Sequence, residues 1–194
     1  MTERTGPPIT FDDFVGIALA ASTDSPCRSK RGAVAFNGRE NERRELVAVG
    51  FNTKPDGSCD GSALCKSSCR REAVHAEQAL IVSTANLEGA DVIHVKSIAG
   101  ALVVSGGPSC LECAKLLRLA GVAAVWLYHL EGWRRYPILE FHALSLASAR
   151  AGLEWIGDRG SRAPLYPDGA PCSKCFQVYE HAAHCQPSGG HDAG

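Results

Sequence analysis

The order of apolar patterns along the chain predicts an α/β domain built on a mixed sheet with helices on both faces. Three observations carry this. Helix-period and strand-like runs alternate over most of the sequence. The first two strand-like runs are separated only by a charged turn, which makes them an antiparallel hairpin. The later ones are separated by amphipathic helices, as a parallel crossover requires.

Taken in order, residues 10–21 read as an amphipathic helix, because Phe11, Phe14, Val15, Ala18 and Leu19 recur at helical spacing and Thr10 with Asp13 has the form of a capping pair. Residues 33–36 and 46–51 read as strands on either side of a charged turn over 37–45. Residues 52–71 form a long irregular loop rich in Gly, Ser, Asp and Cys, of a length that compact domains keep for function or pin in place. Helix, strand, helix and strand then follow at about 75–86, 101–105, 110–120 and 123–128, with Gly121 placed as the glycine just past a helix end. A helix over 134–151 and a strand over 153–156 complete the pattern. After Gly157 the composition turns to Gly, Pro, Ser and Arg, which divides the chain into a domain over 1–157 and an appendage over 158–194.

Composition narrows the function classes. The chain has 194 residues, a net charge of −1 and 45% hydrophobic residues, enough for one core but not for two full domains. No stretch approaches the roughly 18 to 20 apolar residues of a spanning helix, and the first residues have no secretion-signal pattern, so the expectation is a soluble cytoplasmic protein without a membrane partner. A near-neutral balance disfavours nonspecific polyanion binding. Nine cysteines is an odd number and, in a cytoplasmic setting, points to metal ligation or catalysis rather than to a disulfide framework.

The chemistry concentrates in two short segments, His75-Ala76-Glu77 at the start of one predicted helix and Pro108-Ser109-Cys110-Leu111-Glu112-Cys113 at the start of the next. Two cysteines three apart in a first helical turn project to one side, and Ser109 with Glu112 has the form of a capping box. A helix N-terminus favours the thiolate that a metal requires. His75, Cys110 and Cys113 therefore form a candidate zinc set with the fourth tetrahedral position open to water, the arrangement of catalytic rather than structural sites. Zinc lowers the pKa of such a water to about 7. Glu77 is then placed to move a proton between that water and a leaving group.

H-x-E followed by P-C-x-x-C is the pattern of the zinc deaminases. Over about residues 13–156 the chain resembles the cytidine deaminase superfamily, and within it most closely the deoxycytidylate (dCMP) deaminases. The matching segments are Cys27-Arg28-Ser29-Lys30-Arg31-Gly32-Ala33-Val34, Val49-Gly50-Phe51-Asn52 with Pro55 and Gly57, His75-Ala76-Glu77-Gln78-Ala79, and Cys110-Leu111-Glu112-Cys113-Ala114-Lys115-Leu116 leading into Ala120-Gly121-Val122. The resemblance implies a three-layer α/β/α cytidine deaminase-like fold, a five-stranded sheet whose last two strands are parallel, and a homo-oligomer. It also implies zinc on His75, Cys110 and Cys113, Glu77 as proton shuttle, and the Ala76 amide and Asn52 against the substrate. The reaction would be attack of zinc-bound hydroxide on C4 of a cytosine nucleotide, giving dUMP and ammonia from dCMP. Two positions depart from the family. Ser109 stands where a Pro directly precedes the first cysteine, and Glu72 stands where an Arg precedes the histidine by three. Lys54, Arg70 and Arg71 are the candidates for holding a phosphate.

The remaining cysteines form two groups. Cys27, Cys59, Cys65 and Cys69 gather about the long loop and could close a structural zinc site, and some dCMP deaminases carry such a ligand at the position of Cys27. Cys172, Cys175 and Cys185, with His181 or His184, could form a zinc knuckle in the appendage. One catalytic ion and one or two structural ions are thus expected. Two other functions fit the same ligand set: deamination of bases in single-stranded RNA or DNA, and a zinc-binding scaffold without activity. The neutral charge weighs against the first and the presence of Glu77 against the second.

Overall fold

The computed structural model describes residues 9–38, 44–55, 59, 62, 72–84 and 86–157, with 152–157 described by backbone alone. The chain runs α1 (Phe11–Asp24), β1 (Lys30–Asn37), β2 (Glu45–Phe51), α2 (Ala76–Val82), β3 (Asp91–Ile98), β4 (Ala101–Val103), α3 (Leu111–Leu119), β5 (Ala124–His129), β6 (Gly132–Pro137) and α4 (Ile138–Gly157). The strands form one mixed sheet in the order β2-β1-β3-β5-β6, with β4 folded back on the end of β3. Pairing is antiparallel except between β3 and β5, which are joined by the crossover through α3.

The α/β class, the first hairpin and the first helix follow the sequence. Thr10 and Asp13 close the expected capping box on α1, and Gly121 ends α3 with φ +77°. Other expectations are corrected. The central strand of the sheet, β3, falls where no element was expected. Its residues Val92, Ile93, His94 and Val95 are buried in succession because both faces of the sheet are covered, so the two-residue alternation that marks a half-exposed strand is missing. The segment expected as a strand over 101–105 is only the short return β4, reached through Ala99 (φ 50°) and Gly100 (φ 79°) in a two-residue hairpin turn with left-handed backbone at both positions.

The expected helix over 134–151 is a strand followed by a helix. Residues 134–137 belong to β6, where Trp133 and Tyr136, three apart in a strand, face opposite sides and enter the two separate core clusters. The expected strand over 153–156 lies inside α4. Among the described residues the sheet accordingly has six strands rather than five, and its last two, β5 and β6, are antiparallel.

One face of the sheet carries α1, packed on Val34, Phe36, Ile93 and Val95. The other carries α2, α3 and α4, packed on Ala33, Ala35, Ala48, Val92, Val125 and Leu127. Both faces hold a close approach that only glycine permits. A Cβ on Gly32 would lie 2.0 Å from the Ala18 carbonyl oxygen of α1, and one on Gly50 would lie 2.4 Å from the Leu80 nitrogen of α2. The edge strand β6 is protected by the exposed Arg134 and Arg135 and by Pro137. No helix among the described residues is long and apolar enough to cross a membrane.

Candidate metal centre

Two helix N-termini meet on the α2–α3 side of the sheet. The close approach at Gly50 seats α2 directly on β2, and His75 is the residue before its first turn, with its N–H bonded to Gln78 Oε1 at 2.9 Å. Cys110 is the residue before α3, and Cys113 follows one turn on, fully buried.

Their donor atoms converge. His75 Nδ1 lies 3.2 Å from Cys113 Sγ and 3.3 Å from Cys110 Sγ, and the two sulfurs are 3.4 Å apart. Ligand bonds of about 2.0–2.3 Å imply tetrahedral edges of about 3.3–3.8 Å, so the triangle is within a few tenths of an ångström of the size that a metal ion needs, on the tight side. The three residues form a group that can hold a metal ion, and among the described residues it is the one group of this kind.

The charge state gives the same indication. The hydrogen bond with Cys113 pulls the Cys110 thiol down to about 4, with His75 adding to the pull against burial. The same bond, together with burial and the nearby Glu77 charge, pushes the Cys113 thiol up. The bond to Cys110 holds the His75 imidazole above its ordinary value. Two sulfurs this close share one proton, because a second negative charge beside the first is unfavourable. A cation between them removes that restriction and makes both thiolates favourable.

A cavity of about 840 Å³ opens beside this group, lined by His75, Cys110, Ala76, Glu77 and Asn52 among others. Glu77 is 4% exposed. Burial pushes its carboxyl up, but His94, the Ser109 hydroxyl and His75 together pull it further down, so it stands as a buried carboxylate. Ser109 Oγ donates a hydrogen bond to Glu77 Oε1, and His94 Nε2 lies 3.8 Å from the same oxygen. The capping box expected between Ser109 and Glu112 does not form. Cys110 is the N-cap, Ser109 turns to Glu77, and Glu112 pairs with Lys115 at 2.7 Å.

Asn52 lines the cavity but is tied to the β1 side. Its Oδ1 accepts from the Arg31 N–H at 2.7 Å and from Ser25 Oγ at 2.9 Å, and its Nδ2 donates to the Ser29 carbonyl at 2.7 Å. Lys54 is 8% exposed, pairs with Glu72 at 2.8 Å and is not among the described residues that line the cavity. Glu72, the departure from the family pattern, thus has a partner in a phosphate candidate. Arg70 and Arg71 lie outside the described residues. Cys27 is buried in the cavity wall and Cys59 is half-buried, while Cys65 and Cys69 lie outside the described residues, as do Cys172, Cys175, Cys185, His181 and His184.

Sequence reasoning did not single out the positive floor of the cavity. Arg28, Arg31 and Lys96 line it, Arg31 and Lys96 being register partners on β1 and β3, and among the described residues none of the three has an ion pair. Burial holds the Arg31 guanidinium below its ordinary value, opposed by Glu77. Burial and the Arg31 charge do the same to Lys96. The segment carrying Cys110 is fastened to the sheet by Ser105. The Ser105 N–H donates to the Tyr128 carbonyl at 2.8 Å, and Ser105 Oγ accepts from the Tyr128 N–H at 3.2 Å and donates to the His94 carbonyl at 3.4 Å.

Compared with known proteins, the chain matches no family model and no curated protein.

Proposed function

We propose that the protein is a zinc-dependent hydrolase that deaminates a cytosine nucleotide, converting dCMP to dUMP with release of ammonia. One observation carries the reading: a His/Cys/Cys donor triangle of metal-binding size and a buried carboxylate open on the same cavity. His75, Cys110 and Cys113 hold the ion. A zinc ion held by three protein ligands supplies Lewis acidity and an open position at which water becomes acidic enough to act at neutral pH. Glu77 moves the two protons of the attacking water in turn, one to ring N3 as oxygen adds to C4 and one to the departing amine as the C4–N bond breaks and the C4 carbonyl forms. A structural metal site has no use for such a carboxylate. Its burial confines the proton to the reacting groups.

Arg28, Arg31 and Lys96 support a substrate carrying a phosphate. Cations that line a cavity and, among the described residues, form no ion pair are stabilised by an anionic ligand. They take the role expected of Lys54, which is turned to Glu72.

The test is ammonia release by the purified zinc-loaded chain from dCMP, CMP, deoxycytidine, dCTP, guanine and an RNA hairpin. Turnover of dCMP well above that of deoxycytidine is expected. Absence of turnover on every monomeric cytosine compound overturns the proposal, and turnover of the hairpin alone would move the substrate class to nucleic acid.

A further inference from the structure

Two side chains with no assigned role converge on one atom. Ser109 Oγ and His94 Nε2 both face Glu77 Oε1, one by a donated hydrogen bond and the other at 3.8 Å. They come from separate parts of the fold. Ser109 directly precedes the ligand Cys110, and His94 is on the central strand β3, opposite Ala33 of β1. His94 is 7% exposed and its carbonyl is held by Ser105 Oγ, so the imidazole stands on one of the least mobile parts of the sheet.

We propose that Ser109 and His94 are positioning residues that clamp one oxygen of the Glu77 carboxylate and reserve the other for proton transfer at the metal centre. The inference rests on the deaminase reading for its kinetic consequence, but not for its structural one. The terminal torsion of a glutamate is broad and roughly two-fold, so a carboxylate gripped at neither oxygen would rotate among orientations of similar energy. A donor on Oε1 removes that freedom. Because Ser109 belongs to the segment that carries Cys110, the same grip also sets the distance between the carboxylate and the metal ligands, joining α2 to the loop before α3. A side chain needed only for packing would not be polar at either position, since a buried carboxylate is costly unless its partners face it.

The experiment compares wild-type full-length chain with Ser109→Ala, His94→Leu and their double variant, and with the conservative Ser109→Thr and His94→Gln, all zinc-loaded. Metal content per chain, kcat and KM on dCMP, and crystal structures of the loaded proteins are measured. The expected result is a kcat lowered by about 10- to 100-fold in Ser109→Ala and more in the double variant, because misplacement by about 1 Å suffices for that loss. KM and zinc content stay unchanged, the Glu77 carboxyl is rotated or split in the crystal, and Ser109→Thr and His94→Gln recover most of the loss.

A merely structural role would lower Tm and leave kcat per bound zinc alone. Unchanged kcat per zinc together with an unmoved carboxyl in Ser109→Ala overturns the inference. Should His94→Leu not fold, His94→Gln and the Ser109 pair decide it on the same readouts. If wild type turns over no cytosine compound, the functional proposal falls while the carboxyl position in the variants still decides the clamp.

Discussion

The two faces of the sheet are built from different materials. Under α1 lies an aromatic cluster: Phe14 stacks on Phe36 at 4.7 Å, and Phe11 meets Trp126 at 4.8 Å and Trp133 at 5.5 Å. On the opposite face β3 and β5 contribute Val92, Val125 and Leu127, but β1 and β2 beside the metal centre contribute only Ala33, Ala35, Ala48 and Gly50, and the helices above them present Ala76 and Ala114. Bulky residues fill volume and hold one helix by buried area. Small ones let helix backbones come down onto the strands, so that side chains as short as His, Cys and Glu reach one another from separate elements. Stability and precision are thereby assigned to opposite sides of the same strands, and β1 shows the division within one element: Gly32, Val34 and Phe36 serve the first face, Arg31, Ala33 and Ala35 the second.

Substitutions can break that division or confirm it. The largest expected effect is on the precise face: Glu77→Gln lowers kcat by about 10²- to 10⁴-fold with metal content and Tm nearly unchanged, measured by ammonia release and zinc analysis. A variant as active as wild type would remove Glu77 from proton transfer. On the packed face, Phe14→Ala removes a fully buried ring and is expected to cost about 3–5 kcal/mol in denaturant unfolding, while the folded fraction keeps its kcat. Loss of kcat per folded molecule there would show that the faces are coupled.

Gly50→Ala tests the close approach itself. Its Cβ would meet backbone atoms at 2.4 and 2.5 Å, so α2 must lift; a loss of about 1–3 kcal/mol is expected together with weaker zinc retention in a chelator titration. Gly16 is the counterpart. It lies on the exposed side of α1 with nothing within 4 Å of a Cβ, and Gly16→Ala should stabilise the chain by about 0.5–1 kcal/mol with no change in metal or kcat.

The smallest effect comes from Thr10→Ala, which opens the α1 capping box. The backbone N–H and hydroxyl of Thr10 hold the Asp13 carboxyl below its ordinary value. The variant keeps the backbone bond and loses the hydroxyl's, whose stabilisation is fully present above the ordinary aspartate pKa and fades as pH falls through the lower folded value. The Tm difference between wild type and variant should therefore narrow under acid.

What the sequence disclosed and what it concealed divide along physical lines. His75, Cys110 and Cys113 were legible because each helix start brings its donor atoms to a place that short-range spacing defines. Thr10, Asp13 and Gly121 were legible for the same reason. Arg31, His94 and Lys96 were not, because their neighbourhood exists only through the register of β1 against β3, and β3 is buried on both faces and carries no alternation to announce it. Ser109 was seen but given the wrong partner: its spacing to Glu112 is that of a cap, and only the tertiary approach of α2 offers it Glu77 instead. The start of the expected helix over 134–151 was misplaced because β6 carries two exposed arginines in succession, Arg134 and Arg135, which break the two-residue alternation of a strand.

Ser105 lies past the end of β4, yet its amide and hydroxyl complete a rung with Tyr128 of β5 and reach the carbonyl of His94. A backbone amide exchanges its hydrogen with solvent only when its bond opens, and this one opens only if the loop parts from the sheet. In deuterated water the Ser105 and Tyr128 amides should therefore exchange on the slow timescale of the central strands, so that the stretch leading to Cys110 has the clock of the core although it has the shape of a loop.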